Sequence, residues 1–192
     1  MPSSLLALAA LAAASAAEAR VLERVQAVVD GRPILLSEVR VAEALKHITR
    51  RQAVDALVDE SLMLREAAQV PQSEPKPEEV EGALPDLLAR WPESAGPVPA
   101  DALLEVARRQ LRIVRYIEFR FRARARVDDA AVREAYAGEL RGREGDPGFE
   151  RSAAGIREGL ERRRLDEEVE AWVKELRSGA EIRYNPEEPP SE

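Results

Sequence analysis

Apolar positions along the chain recur with two different spacings, and the change from one to the other divides it into elements. Val25–Val29 is largely β-branched and apolar, Asp30-Gly31 is a two-residue turn signal, and Ile34 to Leu36 resumes the apolar run, a pattern that predicts a β-hairpin. Pro33 has no amide hydrogen, which puts an open edge at the second strand. Ser37 is the expected N-cap of the helix that follows, with Glu38 at its positive end. Over residues 49–69, Val54, Leu57, Val58, Ser61, Leu62 and Leu64 fall near helical spacing, with Asp55, Asp59, Glu60 and Arg65 mostly between them. Residues 70–77 hold three prolines and form a connector. Helical spacing returns over residues 78–91 through Val80, Leu84, Leu87, Leu88 and Trp91, where Pro85 is expected to kink or restart the helix. Residues 92–99 are a second loop.

The longest helix is expected from Ala100 to about Arg124, with Leu103, Val106, Ala107, Leu111, Val114, Ile117 and Phe121 on one face and arginines over much of the other. Asp128-Asp129 opens a short helix to about Leu140, and residues 138–148, with four glycines and a proline, form a loop. Helical spacing resumes over residues 149–177 and ends at Ser178-Gly179, and residues 180–184 read as a strand. One short strand cannot stand alone, so it is expected to join the N-terminal hairpin and bring the two ends of the domain together. The fold class is therefore mainly α, a helical domain with a small hairpin closed by a C-terminal strand. The domain is expected over residues 20–184, followed by a disordered acidic, proline-rich tail over residues 185–192.

Residues 1–19 are expected to lie outside that fold. Residues 4–17 are an uncharged, leucine- and alanine-rich run, and Ala17-Glu18-Ala19 places small residues where a signal peptidase reads them, just before charged sequence begins at Arg20. Cleavage after Ala19 would release an exported, periplasmic protein. The run is shorter than the ~20 apolar residues that span a bilayer, so stable membrane insertion is not expected.

Composition removes much chemistry. The 192-residue chain has no cysteine and one histidine, His47, which leaves no thiolate nucleophile, no disulfide framework and no cysteine- or histidine-rich metal site. Its net charge of −7 argues against bulk attraction to nucleic acid, although Arg108 to Arg126 holds eight arginines and one acid, Glu118. On a helix, Arg108, Arg112, Arg115 and Arg122 share a solvated face that can pair with acidic segments elsewhere. Asp59-Glu60 and Asp166-Glu167-Glu168 lie on polar helix faces, without the opposed arrangement across a cleft that paired-carboxylate catalysis needs. No glycine loop suited to cradling phosphate occurs, so no cofactor and no use of ATP are expected.

Four segments carry a family resemblance. Residues 27–39, from the Val28-Val29 pair through Asp30-Gly31 and Pro33-Ile34 to Ser37-Glu38, resemble the start of the SurA/PrsA-type chaperone domain, with Asp30 where asparagine is usual. Residues 56–67 are similar to that family's second signature helix, and Glu78-Glu79-Val80 to the helix start after it. Residues 127–132 with Tyr136, and residues 156–176 with 180–184, resemble its later acidic helix start and its closing helix and strand. The resemblance implies a helical SurA-N-like fold and an ATP-independent chaperone that binds unfolded outer-membrane or secreted polypeptides. Family members usually carry parvulin isomerase modules before the closing helix. Here the space between Leu140 and Phe149 is far too short for one, and the paired histidines of a parvulin site are lacking, so no isomerase activity is expected.

Client binding by such a domain needs an apolar groove rimmed by charge. The candidate lining residues are Leu87, Leu88 and Trp91, with Val114, Ile117, Phe119 and Phe121 on the long helix. Trp172 is expected to pack against the hairpin. An alternative reading of the same groove is a dedicated assembly partner for one envelope protein. The oligomeric state is left open by the sequence.

Overall fold

A computed structural model describes residues 23–97, 100–139 and 148–185. The expected signal segment, most of the expected tail and most of the expected glycine-rich loop lie outside the described residues. Strands β1 (Val25–Val29) and β2 (Arg32–Leu35) form the hairpin, and β3 (Ile182–Tyr184) pairs antiparallel on the other side of β1, giving the order β2-β1-β3. Helices α1 (Leu36–Lys46), α2 (Arg50–Ala68), α3 (Pro77–Arg90), α4 (Ala100–Ala125), α5 (Asp129–Glu139) and α6 (Phe149–Gly179) make up most of the rest, so the fold is mainly α.

Local chemistry explains most element ends. The hairpin turn needs two residues in the left-handed region, which Asp30 at φ 48° and Gly31 at φ 83° supply. Asp30 also accepts the Glu181 amide at 2.8 Å and pairs with Arg65, so the turn residue ties β3 and α2 to the hairpin. Thr49 and Gln52 cap α2 reciprocally: Oε1 of Gln52 accepts the Thr49 amide at 2.9 Å and Oγ1 of Thr49 accepts the Gln52 amide at 3.4 Å. At α1 the expectation fails. The capping position is Leu35, whose amide donates to the Glu38 carboxylate at 3.0 Å, and Ser37 already lies inside the first turn. The apolar register of β2 runs straight into the helix and leaves no room for a serine cap.

Pro85 does not break α3, which is continuous from Pro77 to Arg90. The proline removes the hydrogen bond that would reach the carbonyl of Glu81, and both residues lie on the exposed side, where water can satisfy that carbonyl. Pro85→Ala restores the bond, and urea unfolding is expected to show a gain of about 1–2 kcal/mol, part of the ~3 kcal/mol helix penalty being offset in the unfolded chain.

Three apolar clusters make the core. Ala27, Val29 and Ile34 of the sheet pack on Val39, Val54, Leu57, Val58 and Leu62, with Leu176 and Ile182 at the margin. Leu45, Val80 and Leu87 meet Leu103, Val106 and Ala107 between α1, α3 and α4. The third cluster is aromatic: Trp172 of α6 lies 5.4 Å from both the Tyr116 and Phe121 rings, beside Ala67 of α2. Trp172 thus packs on α4 and α2 instead of on the hairpin, because Leu176, one turn further along α6, faces the sheet cluster.

Candidate functional site

The seven candidate groove residues do not share one surface. Leu87 and Phe121 are interior, each 2% exposed, closed off by the packing of α3 on α4 and by Trp172 respectively. Ile117 is half-buried against the aromatic cluster. Leu88, Val114 and Phe119 are exposed, but apart from one another. Val114 adjoins Arg115, which pairs with Glu79 at the start of α3, whereas Leu88 is near the end of that helix, about 13 Å along its axis. Phe119 is turned about 140° around α4 from Val114. It is the most exposed large apolar side chain described, at 71%.

Trp91 is the candidate that borders a groove. It ends α3 in extended backbone, packs its inner face on the α3/α4 cluster and donates its indole N–H to the Gly96 carbonyl at 2.8 Å. The short turn Glu93–Ala95 and Pro92 and Pro97 around it hold the chain away from α1. Between them lies an open groove of about 600 Å³, with Trp91 and Pro97 on one wall and Arg40, Val41, Ala44 and His47 on the other. The α1 wall went unread in the sequence, although Arg40, Val41, Ala44 and His47 follow the three- and four-residue steps of a single helix stripe. His47 terminates α1 with left-handed φ at 53° and stands exposed at the groove mouth.

The arginines of α4 are mostly spoken for. Arg109 lies between Glu60, at 2.7 Å, and Glu38, at 3.5 Å. Arg112 pairs with Glu74 at 2.8 Å, and Arg115 pairs with Glu79 and donates to the Glu74 carbonyl at 2.7 Å. Arg112 and Arg115 therefore pair with acids as expected, but half-buried against the turn before α3 instead of on a solvated face. The backbone bond from Lys76, with Arg115 beside it, holds the Glu79 carboxyl below its ordinary value. Further along, Arg120 lies over the Tyr116, Phe121 and Trp172 rings at 5.4–6.0 Å, and Arg122 and Arg124 pair with Glu118 and Glu168.

At the other end of α2, Arg177 bonds Asp59 and donates to the Asp55 carbonyl at 3.0 Å, while the Tyr184 hydroxyl donates to the Asp55 carboxylate at 2.8 Å. The Asp59 bond pushes Arg177 above its ordinary value, and burial, then Asp55, raises the Tyr184 phenol. This clasp is present below the ordinary phenol value of about 10 and weakens as pH climbs through the raised one. Among the described residues no group of acids and histidine is placed to hold a metal, and no helix is long and apolar enough to cross a membrane. No protein-family model matches the chain, and no curated protein is significantly similar to it.

Proposed function

We propose that the chain is an ATP-independent, chaperone-like protein of the SurA/PrsA type that holds unfolded envelope polypeptides in the periplasm, without isomerase activity of its own. The observation that carries this reading is the groove beside Trp91. At about 600 Å³ it has the size of a binding cleft, its walls combine an indole, prolines and small aliphatic side chains, and Arg40 and Glu43 keep its rim charged. Such a site suits segments that are apolar and not yet folded, and its openness suits weak, reversible capture. Supporting it from the sequence side, the four resembling segments fall on the hairpin with α1, on α2, at the start of α5, and on α6 with β3. The residues between α5 and α6, where relatives of that type carry an isomerase module, are only those from 140 to 148.

The test is suppression of aggregation of a denatured outer-membrane β-barrel by the purified chain, beside a Trp91→Ala variant whose folding is checked by circular dichroism. Wild-type protection is expected, with apparent affinity for the barrel about 30-fold weaker in the variant, the effect of losing a ~2 kcal/mol aromatic anchor. Absence of protection even at several-fold excess of wild type overturns the holdase reading in favour of a partner dedicated to one envelope protein. Turnover of a prolyl peptide by the purified chain would overturn the statement that it is no isomerase.

A further inference from the structure

The sheet has two edges, and their chemistry differs. Two bonds set the phase of the β1/β3 ladder: the Asp30 amide donates to the Glu181 carbonyl and the Asn185 amide to the Gln26 carbonyl, both at 2.9 Å. With Val28 opposite Arg183, these make Arg183 the β3 residue that exchanges hydrogen bonds with β1. Val28 therefore turns its N–H and C=O to β3, and Ala27 and Val29 turn theirs to β2. It follows that Pro33 faces outward on β2, with no donor to offer, and the next amide, that of Leu35, is taken by the Glu38 carboxylate. That edge offers no free amide donor.

The β3 edge does offer such donors. Ile182 and Tyr184 turn their N–H and C=O away from β1, and no described residue bonds these groups. Beside them opens a recess of about 380 Å³ lined by Gln26, Arg51, Val54, Asp55, Tyr184 and Asn185. We propose that this edge takes up an extended polypeptide segment as a fourth strand, its backbone on Ile182 and Tyr184 and one of its side chains in the recess. Two donors and two acceptors alternating at a two-residue spacing are matched by another extended backbone and not by a helix or a compact ligand. The inference rests on the reading of the chain as a polypeptide binder, at a surface separate from the Trp91 groove.

Two other occupants are disfavoured by the residues themselves. The segment after Asn185 contains Pro186, Pro189 and Pro190, which lack the amides a ladder needs. A second copy pairing edge to edge about a two-fold axis, in the register that uses both Ile182 and Tyr184, would set Arg183 directly opposite its own image, and like charges in that position oppose pairing.

Amide hydrogen exchange of the full chain, read by NMR, tests the proposal with acetyl-Thr-Val-Thr-Val-Thr-Val-amide as the probe. At saturating peptide the Ile182 and Tyr184 amides are expected to exchange at least about tenfold more slowly, with the Arg183 amide, already bonded to Val28, unchanged. The same peptide N-methylated at every residue is expected to give no protection, and Trp91→Ala is expected to leave the protection intact. Equal protection by the methylated peptide, or no protection at Ile182 and Tyr184, overturns the strand edge. If the denatured barrel is still kept soluble in that case, the holdase reading survives and the edge alone fails. Protection that appears without peptide and grows with chain concentration overturns the proposal by making a second copy the occupant.

Discussion

Trp172→Ala is expected to lower the unfolding free energy by about 3–5 kcal/mol, the cost of emptying a large aromatic site in a core. That is a large share of the ~5–15 kcal/mol by which a domain of this kind is stable. The magnitude follows from how α6 is attached. The helix runs for 31 residues, yet Trp172 is its one buried side chain; its N-terminal part is held by α5, and the rest touches α4 and α2 through partly buried positions such as Leu165, Val169 and Val173. Around the indole stand Tyr116 and Phe121 at 5.4 Å and the Arg120 guanidinium at 5.6 Å. Alanine removes the partner of all three at once.

The loss should also be felt at a distance. Strand β3 reaches β1 only because α6 delivers it there, so the variant is expected to lose exchange protection first at the Arg183 amide and only at higher urea in α2. Trp172→Phe keeps a ring in the site and is expected to cost about half as much or less, whereas Leu88→Ala, at an exposed position, should stay within ~0.5 kcal/mol. Urea titrations of the three variants decide the matter. A Trp172→Ala cost below about 1 kcal/mol would mean that α6 is held chiefly by Leu176 and the Arg177 clasp.

What could be read from the sequence was what local chemistry determines. Asp30-Gly31 demands a left-handed pair, Thr49 with Gln52 makes its own cap, and the period of Val54, Leu57, Val58 and Leu62 admits only a helix, so the hairpin, α2 and the closing strand were all legible. The Leu35 cap was not, since it depends on the Glu38 side chain turning back to the end of a strand. The candidate groove was legible in part. Trp91 stood out because prolines follow it, but the wall opposite belongs to α1, and nothing local says that α1 returns to face the end of α3. Val114 and Phe121 satisfy one helical stripe of α4, as Leu87 satisfies one of α3, and only the placement of the neighbouring helices decides which of them are covered. Most opaque was Glu60. Its three- and four-residue steps to Leu57 and Leu64 put it at the margin of an apolar stripe, yet with no view of α4 it looked like one more solvated acid.

Glu60 and Arg109 carry the second large expectation. Their side chains are 11% and 17% exposed, they meet at 2.7 Å, and Glu38 reaches the same guanidinium at 3.5 Å while capping α1. Arg109→Met leaves two carboxylates facing each other, one of them buried with no cation, and is expected to cost about 3–5 kcal/mol in urea unfolding. Glu60→Leu leaves Arg109 still paired with Glu38, so its cost should be smaller, about 1–3 kcal/mol. The double variant removes both desolvated charges and fills their space with apolar atoms, and it should recover most of the loss, because an ion pair in such a site gives back little more than its burial takes. With the double variant costing only about 1–2 kcal/mol, the cycle predicts a coupling of about 3–5 kcal/mol between the two positions, insensitive to salt since solvent ions cannot enter to screen it. Additive single costs, or a coupling that vanishes in high salt, would show that water reaches the pair. In that event the junction of α1, α2 and α4 would be held by its leucines and valines alone, and the arginines of α4 would owe their positions to the outer pairs with Glu74 and Glu79.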